Sequence, residues 1–357
     1  MADILLLTVI GFLLGKNDFA NMAHCLKKEF TNLQKFIPLK NGIPSHDTFS
    51  RVMRIVDPEE LIFSICDWFG CLIPVNGSHL SIDGKGILAA AKKNRLENTP
   101  YIINVLETAT KMVLMQLKVG DKTNEITTIP ELLKYIDLNG ATVTIDAIGT
   151  QKEIVSEILA KGGSFVLPVK ENQPTLYTEV SLYMNDLIED NNSAVQCYQD
   201  NCSDHGRIEV RKYYLIKDNS CITNKAFQRV NSIGKVWRKR SAIVYDAEGN
   251  VAKGTESIQS VYYISDRVLE VEEFACLVRD HWKVEDSLHW VLDNTFREDR
   301  STSRKGYAVE NISLMRKVAY NIIRIHEQKM PGQSIEYLID ELRYDLPAMM
   351  NYLCASI

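Results

Sequence analysis

The sequence predicts an α/β fold built around a mixed sheet. Three observations carry this reading. Short apolar runs in the middle of the chain close on an aspartate or a glycine, three early strands are followed by alternating helices and strands, and both ends are helical in pattern.

Residues 1–77 read as helical, with apolar residues recurring at helical spacing. The apolar run Ile4 to Leu14 spans 11 residues, whereas a bilayer needs about 20. It has no basic region before it and no small-residue cleavage site after it, so a buried first helix is expected. No other stretch looks transmembrane, and a soluble intracellular chain with no membrane partner follows. The stretch Asn41-Gly42-Ile43-Pro44-Ser45-His46-Asp47 is a turn and a cap, with Ser45 or Asp47 starting a helix that carries Phe49, Val52, Met53 and Val56. Asp57-Pro58 starts another helix, ending near Cys71.

The pattern changes at Ser78. His79 to Asp83 reads as a strand turning at Gly84, Tyr101 to Leu106 as a second strand and Lys111 to Val119 as a third, the last two joined as a hairpin. A helix over Ile129 to Ile136 is entered through Pro130. A β-branched strand then runs from Ala141 to Asp146, followed by a helix over Gln151 to Ala160 and a strand over Ser164 to Val169. The order β-β-β-α-β-α-β is the layout of the ribonuclease H-like fold. Residues 174–187 look helical. Strand-like runs at 211–216, 241–245 and 260–264, with a turn at 246–250, mark a β-rich region, and residues from Glu272 onward are helical again. The division expected is a helical N-terminal domain over 1–77, a catalytic core over 78–190 and 266–330, a β-rich insertion over 191–265 and C-terminal helices over 331–357.

A net charge of -5 favours no particular partner, so any nucleic-acid-binding charge must be local. Two runs offer it: Lys92, Lys93 and Arg95, and Lys235, Arg238, Lys239 and Arg240, each equally readable as a solvated face. The eight cysteines are scattered without a Cys-x-x-Cys pair, which fits a reducing compartment. Cys197, Cys202 and His205 match no standard zinc finger and lack a fourth ligand.

Asp83 and Asp146 both close strands, where open α/β sheets place their chemistry. An aspartate there is also a common cap. Two on neighbouring strands favour a cation between them, because like charges held together are costly. Downstream, the segment HWKVEDSLHWVLDNTFRED puts His281, Glu285 and His289 four residues apart, on one face of a helix. A core-facing helix and a zinc site on those three residues are the alternatives. Spacing alone does not select Glu285 over Asp286 or Asp293. Two aspartates and a glutamate, all hard oxygen ligands, suit Mg2+ or Mn2+, and two such ions serve in-line phosphoryl displacement. In that arrangement Asp83 bridges both ions while Asp146 and Glu285 hold one each.

The blocks SIDGK around Asp83, TNEITTIPELL at 123–133, TIDAIGTQK around Asp146, LPVKENQ at 167–173, DHGRIEVR at 204–211, HWKVEDSLHWVLDNTFRED at 281–299 and NGIPSHDTFSRV at 41–52 resemble the ISAs-type insertion-sequence transposases. This group includes the H-repeat-associated proteins and belongs to the DDE transposases. The resemblance covers nearly the whole chain. It implies a ribonuclease H-like catalytic core with a β-rich insertion between the second aspartate and the glutamate, and metal-dependent cleavage and strand transfer of DNA by Asp83, Asp146 and Glu285. It implies two Mg2+ (or Mn2+) ions as cofactors and double-stranded DNA as partner, both terminal inverted repeats and target. A homo-oligomer on DNA and a bacterial cytoplasmic location, at the nucleoid when DNA is bound, complete the expectation. His281-Trp282-Lys283-Val284-Glu285 aligns with the Arg-Trp-x-x-Glu pattern of related transposases, which places His281, Trp282 and Lys283 at DNA, together with Lys85, Lys170 and the run Lys235, Arg238, Lys239 and Arg240. After SIDGK the chain departs from the family, reading Gly86-Ile87-Leu88-Ala89-Ala90 where a threonine and a basic-glycine element are usual. That departure is the feature favouring the alternative, a remnant that binds DNA without cutting it.

Overall fold

Apolar helix faces and apolar strands must be buried together, and the chain does so in a mixed α/β fold with a large central sheet and packed helices. The computed structural model describes all residues except 71–72, 74, 91–98, 121–123, 205–206, 246–250 and 356–357. The basic run Lys92, Lys93 and Arg95, the histidine His205 and the expected turn at 246–250 therefore lie outside the described residues.

The helices are α1 (Ala2–Leu13), α2 (Phe19–Lys28), α3 (Phe30–Leu33), α4 (His46–Ile55), α5 (Pro58–Gly70), α6 (Glu125–Lys134), α7 (Lys152–Ala160), α8 (Pro174–Glu189), α9 (Val271–His281), α10 (Trp290–Asn294), α11 (Ala308–Lys329), α12 (Ile335–Tyr344) and α13 (Leu346–Ala355). The strands are β1 (His79–Gly86), β2 (Tyr101–Glu107), β3 (Met112–Lys118), β4 (Thr142–Ile145), β5 (Ser164–Val169), β6 (Gln196–Asp204), β7 (Arg207–Ile216), β8 (Ser232–Tyr245) and β9 (Val251–Ser265). Two compact units result. One comprises Met1–Ser78, Ile82–Leu132 and Lys283–Ile357; the other comprises His79–Ser81 and Leu133–Trp282.

In the first unit α1 is the buried helix expected, with every residue from Leu7 to Leu13 buried. Ser45 caps α4 by accepting the Thr48 N–H, and Phe49, Val52 and Met53 turn inward. The axis of this unit is α11, which is buried nearly all round and carries Asn311, Ser313, Arg316, Lys317, Asn321 and Arg324 inward. Buried polar groups need partners, and Asn311, Ser313, Lys317, Asn321 and Arg324 each make at least one hydrogen bond, while Asn311 Oδ1 and Arg316 Nε find none among the described residues. Asn321 accepts from the Val113 N–H at 2.8 Å and donates to the Val113 carbonyl at 2.7 Å, completing the outer edge of β3. β2 and β3 pair antiparallel, as the hairpin reading expects, and Glu107 receives the Ala109 and Thr110 N–H groups of the turn.

Two boundaries depart from the sequence reading. β1 does not stop at Gly84 but runs on to Gly86, so Asp83 sits inside a strand. Gly84 permits this, because a Cβ there would meet Tyr101 Cε1 at 2.1 Å; the glycine leaves room for the ring of β2's first residue. Gly84→Ala is expected to cost about 1–3 kcal/mol by overpacking, read as a lower midpoint in urea. A midpoint equal to that of the parent chain would refute the ring contact. α6 begins at Glu125, not at Pro130. Asn124 Oδ1 accepts the Thr127 N–H at 3.1 Å and supplies a cap upstream of the proline, which is then carried inside the helix.

In the second unit β4 and β5 pair parallel, β5 pairs antiparallel with β9, and β9, β8, β7 and β6 continue as an antiparallel series. The β-rich region contains β6 in addition to the runs expected, and β8 and β9 are longer than those runs. Alternation along these strands gives one face to Tyr213, Leu215 and Val236, which pack with Phe274, Ala275 and Val278 of α9. Gly234 sits beneath the Phe274 ring, where a Cβ would lie 2.4 Å from Cζ. Lys161 ends α7 and donates to the Leu133, Lys134 and Ile136 carbonyls at 2.7, 2.7 and 2.9 Å, satisfying the C-terminal end of α6 and the turn after it.

Candidate active site

Within the first unit, the ligand atoms of Asp83, Glu285 and His289 all lie within 4.8 Å of one another, a grouping able to hold a metal ion. Asp83 comes from β1. Glu285 and His289 come from a π-helical turn, Val284–His289, lying between Lys283 and α10. The helix read from sequence as continuous is thus interrupted: α9 ends at His281, and the wider turn follows. π turns disturb the backbone ladder and concentrate at functional positions. Here the Ser287 carbonyl accepts from Arg324 Nη2 at 2.9 Å and lies 3.0 Å from the Tyr320 hydroxyl, so α11 holds the turn in place.

His289 is buried. Its Nδ1 lies 3.3 Å from Glu285 Oε2 and 3.7 Å from Asp83 Oδ2. Its bond to Glu285 is the main reason the glutamate's carboxyl lies below the ordinary carboxylate range, against the opposing effect of burial, with Asp83 and Lys85 adding to the lowering. Glu285 itself is half exposed, at 51%, so this carboxylate is open to a ligand from solvent.

Lys85 is placed differently from an exposed DNA contact. Its side chain is 8% exposed and its ammonium donates to Asp293 at 2.6 Å and Asp299 at 3.1 Å. Burial opposes the charge, but Asp293, Glu298 and Asp299 outweigh it and hold the lysine above its usual pKa. The burial cost appears on the partner: desolvation, with repulsion from Asp299 and Glu298, raises the Asp293 carboxyl despite the bond to Lys85. Asp83 and Lys85 are two apart on one strand and share a face. The ion pair therefore fastens the strand carrying Asp83 to α10, which directly follows the turn carrying Glu285. The departure after SIDGK is also accounted for: Ile87 and Ala90 pack with Ile102 and Val309, so that loop is anchored in the core.

In the second unit Asp146 directly follows β4. Its Oδ1 accepts the Ile148 N–H at 3.1 Å and caps the short 3-10 turn Ala147–Gly149, so the capping reading holds for this residue. Its side chain is exposed, yet desolvation by surrounding protein raises its carboxyl above the ordinary range, against the pull of the Ile148 N–H and the Lys170 charge. Lys170 is exposed and follows β5. A cleft of about 430 Å³ opens beside it, lined by Ala147, Ile148, Lys170, Asn172, Tyr177 and Gln259 among others. His281 lies in this unit too: its Nδ1 is 3.0 Å from Ser81 Oγ and 3.1 Å from Thr144 Oγ1. The zinc set imagined from sequence is thus replaced, with Asp83 joining Glu285 and His289 where His281 had been considered. Trp282 is 54% exposed. In the first unit Lys283 Nζ lies 3.4 Å from the Thr108 carbonyl.

The basic run of β8 is divided between the two faces of its sheet. Arg238 and Arg240 both turn to Glu209, while Lys239 pairs with Glu256 at 3.0 Å and Lys235 donates to Asn185 at 2.7 Å above the Tyr262 ring.

Sequence reasoning weighed His289 as a zinc ligand or a core-facing histidine and Asp293 only as a rival to Glu285, and it passed over Asn104 and Asp299. Asn104 left one trace, a lone amide in the otherwise apolar run Tyr-Ile-Ile-Asn-Val-Leu.

Carboxylates gathered on a strand and a helical turn of an α/β unit form a donor set able to hold a hard divalent cation. Residues 74–322 match the family described as Transposase DDE domain, and residues 1–69 match the region associated with it. The chain is 30% identical over 330 residues to the "H repeat-associated putative transposase YhhI" of Escherichia coli K12, covering 90% of this chain and 84% of that one. It is 32% identical over 327 residues to the "Putative transposase YncI" of Escherichia coli O157:H7, covering 91% and 82%. A piggyBac transposase in a synaptic complex with hairpin DNA aligns at a TM-score of 0.42 and 14% identity, over 96% of this chain and 71% of that one. The chain belongs to the DDE-domain transposase family. Among the described residues, no helix is long and apolar enough to cross a membrane.

Proposed function

We propose that this chain is a metal-dependent DNA transposase that cleaves the ends of an insertion sequence and joins them to target DNA. The observation that carries this reading is the placement of Asp83 and Glu285 side by side in a chain of the DDE family. The reading includes a ribonuclease H-like core with Asp83, Asp146 and Glu285 as its acidic triad, two Mg2+ or Mn2+ ions, and an oligomer acting on paired terminal repeats.

The donor set fits the metal. Two carboxylates within 4.8 Å repel unless a cation or proton lies between them, and the grouping found among the described residues includes no thiol to favour a softer ion. When bound, such ions lower the pKa of an attacking hydroxyl or water and stabilise the leaving oxygen of a phosphodiester. The chain's own residues supply the frame. Lys85 fastens Asp83's strand to α10, Tyr320 and Arg324 hold the π turn, and His289 keeps Glu285 beside Asp83. Lys170, Trp282 and Lys283, with His281, are proposed to meet DNA. Arg238, Lys239 and Arg240 are proposed to meet its backbone farther along the β-rich region, exchanging their acidic partners for phosphate.

A supercoiled plasmid carrying the terminal repeats should be nicked with Mg2+ and left intact with Ca2+. Binding without nicking under both ions would favour the DNA-binding remnant, the reading to which the Gly86–Ala90 loop, with Ile87 and Ala90 buried, lends support. Salt dependence checks the contacts. Lys170→Ala should weaken DNA binding uniformly across sequences and reduce the slope of log K against log salt by about 0.9, measured by fluorescence anisotropy. An unchanged slope would remove Lys170 from the interface.

A further inference from the structure

We infer that Asn104 fixes the tautomer of His289, so that His289 is a hydrogen-bonding support for the acidic pair and not a metal ligand. The inference rests on the metal-dependent reading above and specifies how its acidic pair is held.

Asn104 is fully buried on β2. Its amide nitrogen lies 3.3 Å from the Ile102 carbonyl and 3.4 Å from His289 Nε2. The carbonyl requires the amide's N–H end on that side, which settles which end of the amide faces the histidine. An N–H group pointing at Nε2 requires a lone pair there. Neutral imidazole with its lone pair on Nε2 carries its proton on Nδ1. Nδ1 is the atom 3.3 Å from Glu285 Oε2, with Asp83 Oδ2 at 3.7 Å. A protonated Nδ1 donates to a carboxylate and has no pair to give a metal. Such outer partners orient carboxylate ligands without occupying a coordination position.

Four observations on the whole chain decide it. In metal-free protein with 15N-labelled histidine, the His289 resonances, identified by their loss in His289→Gln, should show a protonated Nδ1 and a bare Nε2. The opposite tautomer overturns the inference. With Mn2+ bound, pulsed electron paramagnetic resonance should show no imidazole nitrogen coupling that changes when 14N-histidine is replaced by 15N-histidine. A directly coordinated nitrogen overturns it, and this comparison needs no variant. His289→Leu should weaken Mn2+ binding about 10–100-fold, and Asn104→Asp, which offers Nε2 an acceptor, should move the proton to Nε2. Unchanged affinity in the first, or an unmoved proton in the second, counts against the inference. Failure of the underlying reading is separately visible: Mn2+ binding that Asp83→Ala leaves untouched would refute the metal site, while the tautomer measurement would stand on its own.

Discussion

Asp83→Ala, Asp146→Ala and Glu285→Gln are each expected to abolish strand cleavage while leaving DNA binding largely in place. Removing a ligand to ions that stabilise several kcal/mol of developing charge should lower the rate by about a thousandfold or more. Affinity, dominated by contacts to the phosphate backbone, should change little. Glu285→Gln is the sharpest of the three, because it keeps shape and hydrogen bonding while removing the charge that distinguishes a ligand from a neighbour of the site. Nicking assays paired with gel-shift titrations separate the two effects. Normal cleavage by any one variant would break the triad assignment. The test matters most for Asp146, which lies in the second unit and already has a local task as a cap, so its membership in the triad rests on the family resemblance and its position after β4.

Glu298→Gln is expected to destabilise the first unit by about 3–5 kcal/mol, the loss typical when one member of a buried charge network is removed. Glu298 is 1% exposed, accepts from Ser313 at 2.7 Å and stands among Lys317, Arg316 and Lys85. Lys317, also buried, donates to Gln116 at 2.7 Å and Ser313 at 2.6 Å. The partners do not share the burial penalty evenly. Desolvation opposes Glu298's charge, but the surrounding cations win and lower its carboxyl pKa, whereas burial pushes Lys317 down to about 8 despite Glu298. The signs follow by linkage. A lowered carboxyl contributes stability present above its ordinary 4.5 and lost as pH falls through its folded value. A lysine lowered from 10.5 to about 8 binds its proton more tightly when unfolded, so stability rises with pH across that interval. Urea midpoints followed against pH should lose the acid-side decline in Glu298→Gln. A midpoint within experimental scatter of the parent would show that the network is not what holds α11 beneath the site.

Much of this site was legible in the residues. SIDGK marked Asp83, because an apolar run that meets an acid is visible from pattern alone; the same pattern in TIDAIGTQK marked Asp146, which caps the turn after β4 in the second unit. The hairpin of β2 and β3, the cap at Ser45 and the buried first helix are local matters, decided by spacing and turn chemistry. The continuous helix inferred across His281 to His289 was not what the chain formed. A π turn does not show in a 3.6-residue pattern, and its Ser287 carbonyl is satisfied by Tyr320 and Arg324, more than thirty residues away in sequence. Lys85 looked like a cation for DNA because its partners, Asp293 and Asp299, are more than 200 residues distant. The basic run of β8 looked like one feature, although alternation sends its members to opposite faces.

Residue pattern was enough for the α/β class, for the acidic residues available for chemistry and, through the family blocks, for the kind of reaction to expect. Residue type and short-range spacing suffice for these, since periodicity and capping act within a few turns. Only the tertiary structure decided that Asp83 meets Glu285 through a buried His289, and that Asn104 stands behind that histidine. It also turned Lys85 inward. Such roles depend on which strand and helix lie against each other, and burial then assigns each polar group the partner it must have.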